Sequence, residues 1–200
     1  RRAARTAWED GTLSCDLGRA AERASATSRR VATETGLAGA GRSVVAVGLD
    51  MAAAHLGPWE GARVLIVGTG AYAGATVSAL HALGASDVSV YSTSGRAREF
   101  AEGRGIGWVD AADLPSALER ADLVVTCRGL GSPVLTRDMA AQAGSTVVLD
   151  LALMRDTESS VASLPNVTLI DLPTIQASVP AADADALERA RSIIDEEVAS

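Results

Sequence analysis

The residues with the clearest chemical potential form a glycine-rich turn at 68–74, which reads Gly-Thr-Gly-Ala-Tyr-Ala-Gly. An apolar run at 64–67 precedes it and a helical pattern follows, so the turn joins a buried strand to a helix. The first glycine permits the tight turn, the second lets backbone N–H groups approach a pyrophosphate, and the small residue at the sixth position allows close packing. The helix also directs its positive end at the phosphates. The predicted pyrophosphate contacts are Gly68, Thr69, Gly70, Ala71, Tyr72 and Ala73.

The end of the second predicted strand, 87–91, indicates which dinucleotide the site prefers. NAD enzymes usually hold the adenine ribose there with an acidic residue about 20 residues past the glycines. Here Asp87 lies at the start of the strand and Asp110 is too far along. Hydroxyls and arginines suit a 2′-phosphate, so we predict NADPH rather than NADH. The three hydroxyls could also form a turn and a helix N-cap. The predicted contacts are Ser92, Thr93, Ser94 and Arg96, with Arg98 nearby.

Other catalytic side chains are scarce in this sequence. All 18 basic residues are arginine, which excludes a Schiff-base lysine, a phosphate-loop lysine and a Tyr-x-x-x-Lys pair. His55 and His81 have no neighbouring ligand at metal-binding spacing, so we expect no metal site. Cys127 ends the fourth predicted strand, on the nicotinamide side of the site, but no histidine is predicted beside it to generate a thiolate. We interpret Cys127 and Cys15 as packing residues.

The composition suits one globular core with additional elements. The chain has 200 residues, of which 48% are hydrophobic and 22% charged, and its apolar runs are shorter than the roughly 20 residues of a membrane span. Two cysteines without a framework pattern favour a reducing compartment, and we expect a cytoplasmic protein. The net charge of −7 argues against general nucleic-acid binding. The arginines of residues 1–42 fit a solvated helix face better than an RNA-binding patch. Because the sequence lacks an initial methionine, we expect a piece of a longer protein.

From residue 63 onward, strand patterns alternate with helical ones. Apolar runs such as 123–125 and 146–149 are typical of parallel strands that are covered on both faces. With right-handed crossovers, the alternation predicts an α/β fold with a doubly wound, Rossmann-type parallel sheet that binds its ligand at the carboxyl edge. We predict strands at 63–67, 87–91, 106–109, 122–127, 146–150 and 167–170, and helices at 71–83, 95–103, 113–120 and 136–142.

Helical patterns also flank the sheet on both sides. We predict helices at 2–10, 13–35 and 43–56, with Gly36 capping the second and Ser43 the third. The loop at 36–41 is a candidate boundary. A charged helix at 183–198 has an apolar face, which fits continuation into another domain or partner as well as ordinary packing. The predicted members of this face are Leu187, Ala190, Ile194 and Val198.

Three segments together resemble the glutamyl-tRNA reductases of tetrapyrrole biosynthesis. Residues 29–36, Arg-Arg-Val-Ala-Thr-Glu-Thr-Gly, followed by Ser43-Val44, resemble the family's K-R-V-R-[ST]-E-T-x-I-G…S-V segment. The glycine turn lies at the expected distance downstream. Residues 149–156, Leu-Asp-Leu-Ala-Leu-Met-Arg-Asp, with 164–167 resemble the family's D-[IL]-A-V-P-R-D…[LI]-x-N-V segment. The resemblance covers nearly the whole chain.

The resemblance implies an NADPH-dependent oxidoreductase that reduces glutamyl-tRNA to glutamate-1-semialdehyde. It implies three parts: residues 1–40 as the helical tail of a catalytic domain, 43–172 as the NADPH domain, and 173–200 as the start of a long helix toward a dimerisation domain. In this family an upstream cysteine attacks the glutamyl ester, so we expect no catalytic residue in this chain and little activity from it alone. Glutamyl-tRNA would be the substrate of the full enzyme, which would form a homodimer through a missing domain.

Departures from the family pattern leave two alternatives open. The family's Asn-Arg-Thr after the second strand is Ser92-Thr93-Ser94 here, and Met154 replaces a proline. These changes fit a reductase-like protein that binds a dinucleotide for regulation or assembly without catalysis. A dehydrogenase of the shikimate or methylene-tetrahydrofolate type has a similar cofactor domain. We rank it low, because those enzymes usually need a lysine in the substrate site.

Overall fold

The computed structural model describes residues 7, 10–11, 14–35, 44–178 and 184–198. These residues fall into two compact units, one within 1–41 and 179–200 and the other within 42–178. The predicted helix at 2–10, the loop at 36–41 and the caps at Gly36 and Ser43 lie mostly or wholly outside the described residues. Within the described ranges, no helix has both the length and the apolar character that crossing a bilayer requires.

The larger unit alternates strands and helices along the chain. It opens with the apolar helix α2, and short 3-10 turns occur at Trp59–Gly61 and Ser159–Ser163. In chain order its elements are α2 (Val44–Ala53), β1 (Arg63–Val67), α3 (Ala71–Ala82), β2 (Asp87–Tyr91), α4 (Ala97–Glu102), β3 (Gly107–Trp108), α5 (Leu114–Arg120), β4 (Leu123–Thr126), α6 (Arg137–Ala141), β5 (Thr146–Asp150), β6 (Val167–Asp171) and α7 (Leu172–Ser178).

The six strands form one parallel sheet in the order β3-β2-β1-β4-β5-β6. The chain moves outward from β1 to β3 and then returns to place β4 on the other side of β1, so the direction of winding reverses between β1 and β4. Val67 at the end of β1 lies opposite Tyr91 in β2 and Thr126 in β4. This is a doubly wound Rossmann-type fold, as the sequence predicted, with its topological switch point between β1 and β4.

The sheet is buried on both faces because neighbouring side chains along each strand enter different cores. Val64 and Ile66 pack into the core covered by α2, α3, α4 and α7. Leu65 and Val67 enter the opposite core, which α5 and α6 cover. A strand that is covered on both faces reads as a continuous apolar run, which is why β1, β4 and β5 were recognisable in the sequence.

The smaller unit contains two helices, α1 (Cys15–Glu34) and α8 (Ala184–Val198). The Ser14 hydroxyl caps α1 by accepting the Leu17 N–H at 3.3 Å. Arg23 of α1 joins Glu197 of α8 through an Nε–Oε1 contact of 2.8 Å. Of the predicted apolar face of α8, Ala190 is buried, whereas Ile194 and Val198 are 46% and 82% exposed; the neighbouring Ile193 is also buried.

The predicted elements agree with the structure in type and order, with differences at their ends. The helix predicted at 43–56 ends at Ala53, before Gly57-Pro58. Helix α7 and the two 3-10 turns were not predicted. Pro173 occupies the second position of α7, where a missing N–H costs no intrahelical bond. The Asp171 carboxylate then accepts the Thr174 N–H at 3.0 Å and caps the helix.

Candidate functional site

The glycine turn after β1 makes a close backbone contact with the end of β4. Gly68 has φ +130°, and a Cβ there would lie 3.1 Å from the Cys127 Sγ and 3.3 Å from its carbonyl oxygen. The Gly68 N–H donates to the Tyr91 carbonyl at 2.9 Å, which continues the β1–β2 pairing by one residue. Gly68 is therefore required by its backbone conformation and by the close approach of β4.

Gly70 is a glycine for a different reason. It is the N-cap of α3 with φ −85° and ψ −167°, an extended conformation that other residues adopt. A Cβ at Gly70 would have no neighbour within 4 Å, so the turn opens to space at the amino end of α3. The first N–H groups of a helix lack intrahelical partners and carry the positive end of its dipole. Ala73, one turn further along, is fully buried and brings α3 close to the sheet.

Two buried polar atoms without partners flank the switch point. In the part of the chain that the structure describes, the Thr69 Oγ1 and the Arg128 Nε are the buried side-chain oxygen and nitrogen atoms that have no hydrogen-bond partner. Thr69 lies in the turn after β1, and Arg128 is the second residue after β4. A buried donor without an acceptor costs about 1–3 kcal/mol, which a ligand oxygen could recover. The residues at this edge therefore fit an oxygen-rich ligand such as a dinucleotide.

The predicted 2′-phosphate residues lie together at the end of β2. The hydroxyl oxygens of Ser92 and Ser94 are 2.9 Å apart, and the Arg96 Nε donates to the Ser94 Oγ at 3.0 Å. The side chain of Thr93 is exposed in the same turn. The structure separates the two arginines: Arg98 donates to the Glu102 carboxylate at 2.9 Å, whereas Arg96 contacts a neutral hydroxyl.

The two cysteines differ in their surroundings. Cys127 is buried beneath Gly68, and its Sγ lies 3.6 Å from the Val67 carbonyl. Burial, with smaller contributions from the Asp156 and Asp150 charges, raises the pKa of the Cys127 thiol from 9.0 to about 12. A thiol with this pKa stays protonated at neutral pH, so its interpretation as a packing residue is confirmed. The same interpretation of Cys15 is wrong, because Cys15 lies exposed at the start of α1.

Two buried carboxylates that were not predicted from the sequence, Asp150 and Asp156, hold the loops beside the glycine turn. Asp150 ends β5 and accepts the N–H groups of Ala152, Asp156 and Thr157 at 2.9–3.1 Å. Asp156 in turn accepts the N–H groups of Arg128 and Gly129, which follow β4. Both aspartates belong to the segment that resembles glutamyl-tRNA reductases. The resemblance of this segment to the reductases was the feature of the sequence that could have indicated a role for the two aspartates.

Among the residues whose placement is described, no group of three histidine, cysteine, aspartate or glutamate side chains could hold a metal ion. The carboxyl edge at the switch point thus combines helix N–H groups, small residues, hydroxyls and guanidinium groups. Groups of these types are suited to an anionic ligand.

The family model for shikimate / quinate 5-dehydrogenase matches residues 50–178. The match covers the doubly wound unit from within α2 to the end of α7. The chain belongs to this family. A shikimate-type dehydrogenase is the alternative ranked low from the sequence, and the matched residues contain the glycine turn and the end of β2.

The curated relatives are glutamyl-tRNA reductases, and the match to them spans almost the entire chain. The reductase of Clavibacter michiganensis subsp. michiganensis is 44% identical over 201 residues, which cover 97% of this chain and 46% of the relative. That of Cutibacterium acnes is 46% identical over 187 residues, which cover 90% and 41%. The predicted resemblance is confirmed. The chain spans about half the length of these relatives.

Two solved structures of glutamyl-tRNA reductases also resemble this chain. Glutamyl-tRNA reductase from Methanopyrus kandleri matches with a TM-score of 0.63 and 25% identity over 99% of this chain and 53% of that one. The nucleotide binding domain of the Thermoplasma volcanium reductase matches with a TM-score of 0.52 and 20% identity over 78% of this chain and 99% of that one. The second match, at its lower identity, supports the fold alone.

Proposed function

We propose that this chain is the NADPH-binding part of a cytoplasmic glutamyl-tRNA reductase, an oxidoreductase of tetrapyrrole biosynthesis. The observation that carries the proposal is the identity of 44–46% to such reductases over nearly the whole chain. The position of the glycine turn at the β1–β4 switch point supports it, because this is where doubly wound sheets bind dinucleotides. The full-length protein would use glutamyl-tRNA as substrate and form a homodimer through a part outside this chain.

In this proposal the chain binds and orients the cofactor. The pyrophosphate lies at the amino end of α3, against Gly68, Thr69, Gly70, Ala71, Tyr72 and Ala73. Three properties support this placement: the open space at Gly70, the unpartnered Thr69 hydroxyl and the free N–H groups of the first helical turn. NADPH, when bound, supplies the hydride, while the protein fixes the position from which it is delivered.

The preference for NADPH over NADH rests on Arg96. Its guanidinium lies beside the Ser92 and Ser94 hydroxyls and forms no ion pair in the described structure, so it can bind the 2′-phosphate without breaking one. Arg98 is less suited, because it pairs with Glu102 and lies 5.4 Å over the Trp108 ring. The arginine at position 96 would thus replace the one that the reductase family carries two residues after the second strand.

The nucleophile of the reaction would come from elsewhere in the full-length enzyme. Cys127 is buried, and its pKa of about 12 keeps it in the unreactive thiol form. The resemblance to the reductases places the catalytic cysteine of the proposed enzyme outside this chain. A protein without that cysteine would bind the dinucleotide for a regulatory or assembly role, which is the alternative function.

Titration of the chain with NADPH and with NADH, followed by cofactor fluorescence, tests the proposal. We expect the wild type to bind NADPH more tightly than NADH. Arg96→Gln should weaken NADPH binding about tenfold, the equivalent of ~1.4 kcal/mol, and leave NADH binding unchanged. Arg98→Gln is the matched control, since it removes the same charge from a guanidinium that already has a partner.

Equal or reversed affinities of the wild type would refute the assignment of the 2′-phosphate site. Failure to bind either dinucleotide would refute the proposed binding function of the chain. To separate the reductase from the alternative, the full-length protein is incubated with glutamyl-tRNA and NADPH. Formation of glutamate-1-semialdehyde supports the reductase, and cofactor binding without turnover supports the non-catalytic role.

A further inference from the structure

Arg128 lies where the switch point brings the ends of β1 and β4 together. The Cys127 N–H donates to the Val67 carbonyl at 3.0 Å, which extends the pairing of β1 and β4 to the residue before Arg128. The Cys127 backbone also lies against the position that a Cβ on Gly68 would occupy. Arg128 therefore leaves the sheet directly beside the glycine turn, on the carboxyl edge where the ligand is expected.

The backbone of Arg128 is fixed by a carboxylate from another loop. Asp156, which is fully buried, accepts the backbone N–H groups of Arg128 and Gly129. Asp156 is itself held because its own N–H donates to Asp150 at 3.1 Å. The backbone of Arg128 is thus held by two buried carboxylates, Asp150 at the end of β5 and Asp156 in the loop that follows β5.

The guanidinium of Arg128 has no carboxylate partner within the described structure. Its Nη2 donates to the Ser132 carbonyl at 3.4 Å, a long contact within its own loop, and its Nε is buried without an acceptor. Arg63, Arg98 and Arg155 each contact a carboxylate at 2.8–2.9 Å. In the described part of the chain, the Asp156 oxygens accept from the backbone N–H groups of Arg128 and Gly129 and form no ion pair with the guanidinium. Arg128 consequently presents a cation that is free to bind an anion at the switch point.

We propose that Arg128 is an anion-binding residue at the carboxyl edge of the sheet, where its guanidinium donates to ligand oxygens. The proposal deepens the proposed function and rests on it, because the two oxygen sources at this edge are the cofactor pyrophosphate and the carboxylate of an acidic substrate. Both offer oxygens that match the planar donor geometry of arginine. Arginine binds such groups through geometry as well as charge, so lysine should replace it incompletely.

The test compares Arg128→Gln and Arg128→Lys with the wild-type chain. NADPH, inorganic pyrophosphate and L-glutamate serve as probes, and dissociation constants are measured at low and physiological salt. Arg120→Gln is the matched control, because Arg120 is an exposed arginine at the end of α5, beside the opposite edge of the sheet. Circular dichroism and thermal unfolding establish that each variant is folded.

If the pyrophosphate is the ligand group, Arg128→Gln weakens binding of NADPH and pyrophosphate about 10- to 100-fold and reduces the salt dependence. If the substrate carboxylate is the ligand group, the loss appears for L-glutamate, and NADPH affinity is kept. Arg128→Lys should fall between wild type and Arg128→Gln, and Arg120→Gln should match the wild type.

Unchanged affinities for all three probes in a folded Arg128→Gln variant would overturn the proposal and leave Arg128 the role of bracing its loop. A variant with a lower melting temperature and unchanged affinities leads to the same conclusion. Should Arg128→Gln fail to fold, Arg128→Lys decides the question, with wild-type affinities and salt dependence counting against the proposal. If the wild type binds no NADPH, the proposed function fails, and pyrophosphate and L-glutamate alone decide the role of Arg128.

Discussion

Replacing Gly70 by valine separates cofactor binding from folding. Gly70 has a backbone conformation that valine adopts readily, with φ −85° and ψ −167°. A Cβ at this position would have no atom within 4 Å, so the side chain would enter open space and avoid the protein core. The folded structure should therefore accommodate Gly70→Val. The space that the valine occupies is the space through which a pyrophosphate would approach α3.

The cost to stability should be small. Gly70 is the N-cap of α3, and glycine is preferred over valine there by about 1 kcal/mol. For a chain of this size, that difference lowers the melting temperature by roughly 2–4 °C. The variant should therefore remain folded at room temperature and give a cooperative unfolding transition.

The cost to binding should be much larger. If the valine prevents two helix N–H groups from reaching the phosphate oxygens, each lost charge-assisted bond costs about 1.5–3 kcal/mol. The sum, about 3–6 kcal/mol, corresponds to a loss of affinity of at least about 100-fold. NADPH and NADH should lose affinity alike, because both carry the same pyrophosphate.

Fluorescence titration with both dinucleotides measures the loss, and urea unfolding measures stability. Gly61→Val is the matched control, because Gly61 also has open space around its Cβ position but precedes β1 at the opposite edge of the sheet. Gly68→Ala should show the reverse pattern, with a loss of stability from its φ of +130° and the contact with Cys127. NADPH binding by folded Gly70→Val within threefold of wild type would refute the turn as the pyrophosphate site.

Two further predictions concern the buried groups behind the site. Because the pKa of Cys127 is about 12 in the folded state and 9.0 ordinarily, its contribution to stability is complete below pH 9 and is lost as the pH rises toward 12. Urea unfolding across this window should show a slope of up to about 1.4 kcal/mol per pH unit that Cys127→Ala lacks; equal slopes would contradict the buried thiol. Asp156→Ala should cost about 3 kcal/mol, because it leaves the N–H groups of Arg128 and Gly129 without their acceptor, and Asp156→Asn should cost less. Equal costs for the two Asp156 variants would contradict this.

The sheet could be predicted from the sequence because the apolar pattern of its strands matches their burial in the fold. Strands β1, β4 and β5 are apolar at consecutive positions because two layers of helices cover them. Helix α7 was missed for a physical reason. The sequence marks the start of this helix with the capping residue Asp171 and with a proline in the first turn. The same two residues are also common in irregular turns.

The glycine turn was predictable because adjacent residues form it, whereas the loops opposite it depend on long-range contacts. Asp156 reaches the backbone of Arg128 across 28 residues, and spacing alone does not reveal such a contact. The same limit applies to the two arginines after β2. Arg98 forms an ion pair with Glu102, one helical turn further along α4, and this pair distinguishes it from Arg96.

The pairing of polar groups differs between the two edges of the sheet. A cavity of about 460 Å³ lies at the amino edge and is lined in part by His55, Asp122 and Thr146. There Arg63 donates to Asp122, and this hydrogen bond holds the pKa of Asp122 below its ordinary value, while the Thr146 hydroxyl donates to the Asp122 carbonyl. At the carboxyl edge, the buried donors of Thr69 and Arg128 have no acceptor within the described chain. A buried polar group is stabilised when it acquires a hydrogen-bond partner. We therefore expect a ligand with several oxygens to bind more tightly at the carboxyl edge than in the amino-edge cavity.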